Sequence, residues 1–165
     1  AGIAAAANNG IGIVGANPRA LIMPVVVMQS DGTGDVATII KGIDYAVSNG
    51  ATILNMSIGS YQDSKAYRQA LEKAYQKAVI VAAAGNDGLC INESHWKKHK
   101  VGRSYPAAYP FVLGVQATIS SSGGLASFSN YDDDGSLSSA DANVVNPDGF
   151  NYELKAPGTN ILSRV

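Results

Sequence analysis

The stretch Val81-Ala82-Ala83-Ala84-Gly85-Asn86-Asp87-Gly88 decides the reading of this chain. An apolar segment, Val79 to Ala84, breaks abruptly into a glycine-flanked loop that presents a single carboxamide, Asn86. A short apolar run bounded by turn residues predicts a buried strand. The C-terminal end of a parallel strand is where open α/β sheets place their chemistry, and a side-chain amide held there can donate a hydrogen bond to an oxyanion. The plainer reading is an asparagine that caps a turn in left-handed backbone.

Outward from this point, strands and helices alternate. Ala20 to Met28 is a continuous apolar run ending in Gln29-Ser30-Asp31-Gly32, which predicts a strand buried on both faces; Pro24 within it must sit where no ladder donor is needed. From Asp35 to Asn49, the residues Val36, Ile39, Ile40, Ile43 and Val47 recur with helical period between a capping Asp35 and a terminating Gly50. Ala51 to Met56 then predicts a strand, Ser64 to Ala78 a helix, and Val79 to Ala84 the strand that ends at Asn86. Further strands are expected at Phe111 to Thr118 and Tyr152 to Ala156, whereas the Ser-, Asn-, Asp- and Gly-rich segment 120–150 reads as loop and hairpin. Such alternation implies a parallel sheet with helices on both faces and right-handed crossovers.

Composition narrows the function classes. With 165 residues and a net charge of −1, the chain has no electrostatic footprint for nucleic acid or an anionic membrane surface. No apolar run approaches the ~20 residues of a membrane span, and Ala1 to Ala7 lacks the basic region of a signal peptide. The single cysteine, Cys90, excludes an internal disulfide framework and reads as a packing or loop residue. Asp132-Asp133-Asp134 reads as a solvated acidic loop. His95 and His99 have the i, i+4 spacing of a helical zinc pair, but their basic neighbours Lys97, Lys98 and Lys100 favour an exposed loop. Gly10-Ile11-Gly12-Ile13-Val14-Gly15 matches the spacing of a dinucleotide-binding loop. Its context fails, because that loop must follow a strand and open a helix; here it follows an alanine-rich helical segment and leads through Asn17-Pro18 into an extended run.

Four segments together, Ala1-Gly2-Ile3-Ala4-Ala5, Leu54-Asn55-Met56-Ser57-Ile58-Gly59, Ala83-Ala84-Gly85-Asn86 and Ala156-Pro157-Gly158-Thr159, closely resemble the subtilisin-like serine proteases, the subtilases. The resemblance covers nearly the whole chain and needs gaps around 89–103 and 131–151. It implies an α/β fold with helices on both faces of a parallel sheet, residues 1–165 being the central part of the peptidase domain. Asn86 is then the oxyanion-stabilising donor. Gly32-Thr33-Gly34 and Ser57-Ile58-Gly59 clasp a polypeptide substrate as neighbouring strands, against the plainer reading of two tight turns. Ala83, Ala84 and Gly85 line a wall of the pocket for the residue before the scissile bond, and Tyr105-Pro106 lies at its foot. The glycines of 10–15 become part of a calcium loop, with the carbonyls of Ala7, Ile11 and Ile13 and the side chain of Asn9 as ligands; no cofactor is needed for the chemistry itself. The family's carboxylate ligand is expected upstream.

Subtilases use Asp, His and Ser in that chain order. The resemblance implies that the aspartate strand and the histidine lie upstream of residue 1 and the serine downstream of residue 165, so that these residues alone are inactive. It places the aspartate strand between 20–28 and 51–56, so that the separate segment exposes two strand edges and is expected to oligomerise or swap. Secretion follows by family habit. A pseudoprotease that binds peptides without cleaving them would carry the same features, and a nucleotide-binding α/β domain is the third class considered.

Overall fold

A computed structural model of the chain describes residues 2–91, 102–132, 152 and 154–161. Helix α1, Gly2–Ala5, opens the chain; α2, Val36–Ser48, and α3, Lys65–Tyr75, are the two substantial helices. The strands are β1, Ile53–Met56, β2, Val79–Ala83, β3, Leu113–Thr118, and β4, Leu154–Pro157. They form one parallel sheet in the order β1-β2-β3-β4, with Leu54 opposite Ile80, Val81 opposite Leu113 and Val115 opposite Leu154.

The helices begin and end where side-chain chemistry dictates. Asp35 caps α2: its Oδ1 accepts from Thr38 N at 2.9 Å and its Oδ2 from Thr38 Oγ1 at 2.6 Å, which holds the carboxyl below its ordinary pKa. The helix closes at Gly50, whose φ of 86° only glycine adopts readily; Gly50 N donates to Val47 O and Ala51 N to Ala46 O, satisfying two terminal carbonyls. Ser64 caps α3 by accepting from Tyr67 N, and Tyr67, Leu71 and Ala74 bury one stripe of that helix. This stripe meets Ile43 and Ala46 of α2 and the alternate strand residues Leu54, Met56, Ile80 and Ala82 in a single core. Both α2 and α3 thus cover one face of the sheet. On the other face Ile53, Val79, Leu113 and Leu154 are exposed.

Two expectations change. Ala20 to Met28 is not a strand, and Leu21, Ile22, Met23 and Val26 are exposed. A strand exists only through a partner ladder, and among the described residues no strand hydrogen-bonds to this run or to the outer edge of β1. Asp132 is also not a solvated loop residue. It is buried, and accepts from Gln116 Nε2 at 2.6 Å and Tyr152 N at 3.1 Å, joining β3 to the entry of β4. His95, His99, Asp133 and Asp134 lie outside the described residues. Cys90 is buried, as a packing residue should be. Among the described residues, no helix is long and apolar enough to cross a membrane.

Candidate active site

Met56 and Ala82 are register partners, so the loops leaving β1 and β2 start side by side at the C-terminal edge of the sheet. From β1 comes Ser57-Ile58-Gly59, with Ser57 and Gly59 exposed. From β2 comes Ala84-Gly85-Asn86; Ala84 N extends the ladder by one bond to Val115 O at 2.9 Å. The two loops converge with a third segment. Ser60 and Tyr105 exchange backbone bonds of 2.9 and 2.8 Å, and a Cβ built on Gly59 would fall 2.7 Å from Ser104 Oγ, one built on Gly85 3.4 Å from the same atom. Gly59, Gly85 and Ser104 therefore surround one spot.

Asn86 stands exposed beside it, and its carboxamide makes no hydrogen bond among the described residues. The backbone around it is held tightly. Gly85 has φ 112°, and a Cβ there would meet Asn130 Nδ2 at 2.4 Å, so both torsion and space require glycine. Asn130, fully buried, bonds the loop on either side of Asn86. Tyr61 donates from its hydroxyl to Asp87 Oδ2; partial burial, reinforced by that carboxylate and opposed by the Asn130 bond, raises the phenol pKa.

Other expected site residues are placed less directly. Ala83 is exposed, but Ala84 is 1 % exposed and belongs to the core, its N–H given to Val115 O and its carbonyl accepting from Asn130 Nδ2. Gly32-Thr33-Gly34 is exposed in a turn closed by Gln29 N to Thr33 O and by Thr33 N and Oγ1 to Asp31 Oδ1, and no hydrogen bond among the described residues joins it to Ser57-Ile58-Gly59. Those bonds to Thr33 hold the Asp31 carboxyl below its ordinary pKa.

In the 7–13 loop, Asn9 Oδ1 accepts from Ile11 N at 3.2 Å and Ala7 O from Asn9 N at 3.1 Å. These oxygens are of the kind calcium takes, and each keeps a second lone pair. They fall short in number, since calcium requires about 6–8 oxygens and residues 2–15 contain no carboxylate. Residues 10–15 follow α1 and open no helix, which removes the helix N-terminus that a dinucleotide pyrophosphate needs.

Sequence reasoning missed Asn130, Tyr61 and Ser104. Asn130 sits in a Ser- and Asn-rich stretch with no period, and its partners Ala84, Asp87 and Leu89 lie more than 40 residues away; no local signal marks it. Ser104, next to the Tyr105-Pro106 pair singled out in the sequence, was within reach of the same reading.

The family model for subtilases, the Peptidase_S8 group, matches residues 1–164. The chain belongs to the subtilase family. Among curated relatives, it is 41 % identical over 164 residues to subtilisin E of Bacillus subtilis, covering 99 % of this chain and 36 % of the relative. It is 38 % identical to the minor extracellular protease Epr of the same organism, covering 99 % of this chain and 21 % of that protein. Among solved structures, a psychrophilic subtilisin-like protease from Pseudoalteromonas sp. AS-11 matches with TM-score 0.66 and 34 % identity, over 80 % of this chain and 28 % of the other. A lanthipeptide protease matches with TM-score 0.56 and 26 % identity, over 70 % and 36 %. This subtilase chain thus spans well under two thirds of the relatives it matches. The parallel α/β sheet agrees with its subtilisin-like structural neighbours.

Proposed function

We propose that residues 1–165 are the central part of a serine endopeptidase that hydrolyses peptide bonds, with the aspartate, histidine and serine supplied by flanking sequence. The observation that carries this reading is the exposed carboxamide of Asn86 just past the end of β2, unbonded among the described residues, with Ser57-Ile58-Gly59 leaving the end of the neighbouring strand β1. A polypeptide substrate pairs with 57–59 as an added strand, with Gly32-Thr33-Gly34 on its other side. The side chain before the scissile bond lies against the wall that Ala83 and Gly85 present, with Tyr105-Pro106 at the foot of its pocket. The serine attacks the carbonyl carbon while histidine takes its proton, and the negative charge that develops on the carbonyl oxygen is met by the Asn86 amide and a backbone N–H. Residues 7–13 form a calcium loop in a parent that adds a carboxylate. Export is proposed from the relative named as extracellular.

The test is fluorophosphonate labelling and peptide hydrolysis by the parent polypeptide, with Asn86→Ala alongside. Loss of the amide is expected to cost about a hundred- to thousand-fold in turnover with KM little changed, a magnitude known from subtilisin, a member of the same family, and carried over from it. A folded parent that neither labels nor turns over contradicts the reading. Residues 1–165 alone are expected not to label, having no nucleophile and base in place.

A further inference from the structure

Asn130 is 0 % exposed, and its side chain spends its whole hydrogen-bonding capacity on one loop and one neighbour. Its Nδ2 donates to Ala84 O at 3.0 Å and to Tyr61 Oη at 3.0 Å. Its Oδ1 accepts from Asp87 N at 3.1 Å and Leu89 N at 3.0 Å. A carboxamide has two donor hydrogens and two acceptor lone pairs, so nothing remains for a ligand. The main chain adds Asn130 N to Gly85 O at 3.0 Å. Residues 84, 85, 87 and 89 are thus all tied to one side chain and its backbone, and Asn86, in the middle, is left outside the network.

The anchor is itself fixed to the sheet. Ser129 Oγ accepts from Ala117 N of β3 at 2.9 Å and donates to Asn130 O at 2.9 Å. Around it, Gly88 N donates to Phe128 O, Tyr131 N to Leu89 O and Ile91 N to Tyr131 O, lacing the whole 85–91 segment to 128–131. On the other side Tyr61, two residues past Gly59, receives one Asn130 bond and gives its own proton to Asp87. One buried amide therefore joins the loop carrying Asn86, the segment that follows 57–59, and, through Ser129, β3.

We propose that Asn130 is the positioning residue of the oxyanion site: it holds the 84–89 backbone so that the Asn86 amide points at the substrate carbonyl, and through Tyr61 it keeps that loop in register with the bound peptide. Asn130 touches no reacting atom. The proposal rests on Asn86 being the oxyanion donor. Because a fixed donor stabilises charge only at the position that the charge will occupy, loosening this anchor lowers turnover without weakening substrate binding.

The experiment is a double-mutant cycle in the parent enzyme, reading kcat and KM separately for Asn86→Ala, Asn130→Ala and the pair. Asn130→Ala is expected to lower kcat by about ten- to a hundredfold, the scale of a reacting group displaced by about 1 Å, with KM within a factor of about two. In the Asn86→Ala background the same change should have little further effect on kcat, since its target is gone. Tyr61→Phe, at an exposed side chain that leaves folding intact, should lower kcat by about two- to tenfold, the weight of one net hydrogen bond, again only while Asn86 is present. It carries the test if Asn130→Ala fails to fold. Full additivity with Asn86→Ala, or a loss that appears in KM or melting temperature with kcat unchanged, would make Asn130 structural only and overturn the proposal. An Asn86→Ala variant equal to wild type would remove the reading beneath it, and the proposal with it.

Discussion

Tyr67 shows how a single group sets a pH dependence. Its ring is buried in the stripe of α3, 5 % exposed, and its hydroxyl has no hydrogen-bond partner among the described residues. Burial alone pushes the phenol well above its ordinary value near 10; burial first, then the hydrogen bond to Asp63, does the same for Tyr109, and burial for Tyr152. The folded state keeps these protons while the unfolded chain releases them near pH 10. Stability is therefore independent of their titration below about pH 10 and falls as pH rises from there through the folded-state values. Tyr67→Phe removes an orphaned hydroxyl without opening a cavity, so it should raise stability by about 1 kcal/mol at neutral pH and make the alkaline decline shallower. Urea unfolding of the parent and the variant at pH 8 and above pH 10 checks both. A variant less stable at pH 8 would mean the hydroxyl has a partner.

At the scale of elements, what was legible depended on how local the cause is. The helix over 36–48 was readable because its cap, its apolar period and its terminal glycine all lie within the segment. The strands β2 and β3 announce themselves as apolar runs between turn residues. The place of Asn86, the first polar side chain past the end of β2, was readable for the same reason. Ala20 to Met28 has equally good strand composition and forms no strand, because among the described residues no other strand pairs with it. Asn130 and Asp132 were illegible too, since their partners lie across the fold.

The calcium proposed for the 7–13 loop has a stability test. Ala7, Asn9 and Ile11 are exposed and Ile13 partly so, and the oxygens of Ala7 and Asn9 are engaged by short turn bonds. An ion that binds the folded state alone stabilises by mass action. Excess chelator is therefore expected to lower the melting temperature of the parent, and Asn9→Ala to abolish most of that response. Equal responses in the two proteins would dismiss Ala7, Asn9, Ile11 and Ile13 as the ligand set.

Over the whole molecule, one face of the sheet is finished and the other is not. Leu54, Met56, Ile80 and Ala82 are sealed by α2 and α3, while Ile53 is 65 % exposed with Val79, Leu113 and Leu154 beside it, and Leu21 in the unpaired run is 98 % exposed. Strand β1 is at the edge of the sheet, with its outer backbone unpaired among the described residues. An apolar edge next to an apolar face is the arrangement that soluble proteins avoid by placing charge there. Residues 1–165 expressed as a separate polypeptide should therefore self-associate, and Ile53→Lys should shift the population toward monomer. In the parent the same substitution should act in the opposite sense. There, a helix layer on the second face, which the sequence resemblance implies, would bury position 53, and an unpaired ammonium in that layer would destabilise the fold. Light scattering of the segment and thermal unfolding of the parent, each with and without Ile53→Lys, give the two signs. A monomeric wild-type segment, or a parent that tolerates the lysine without loss of stability, would mean that this face is a true surface of the protein rather than one side of an interior.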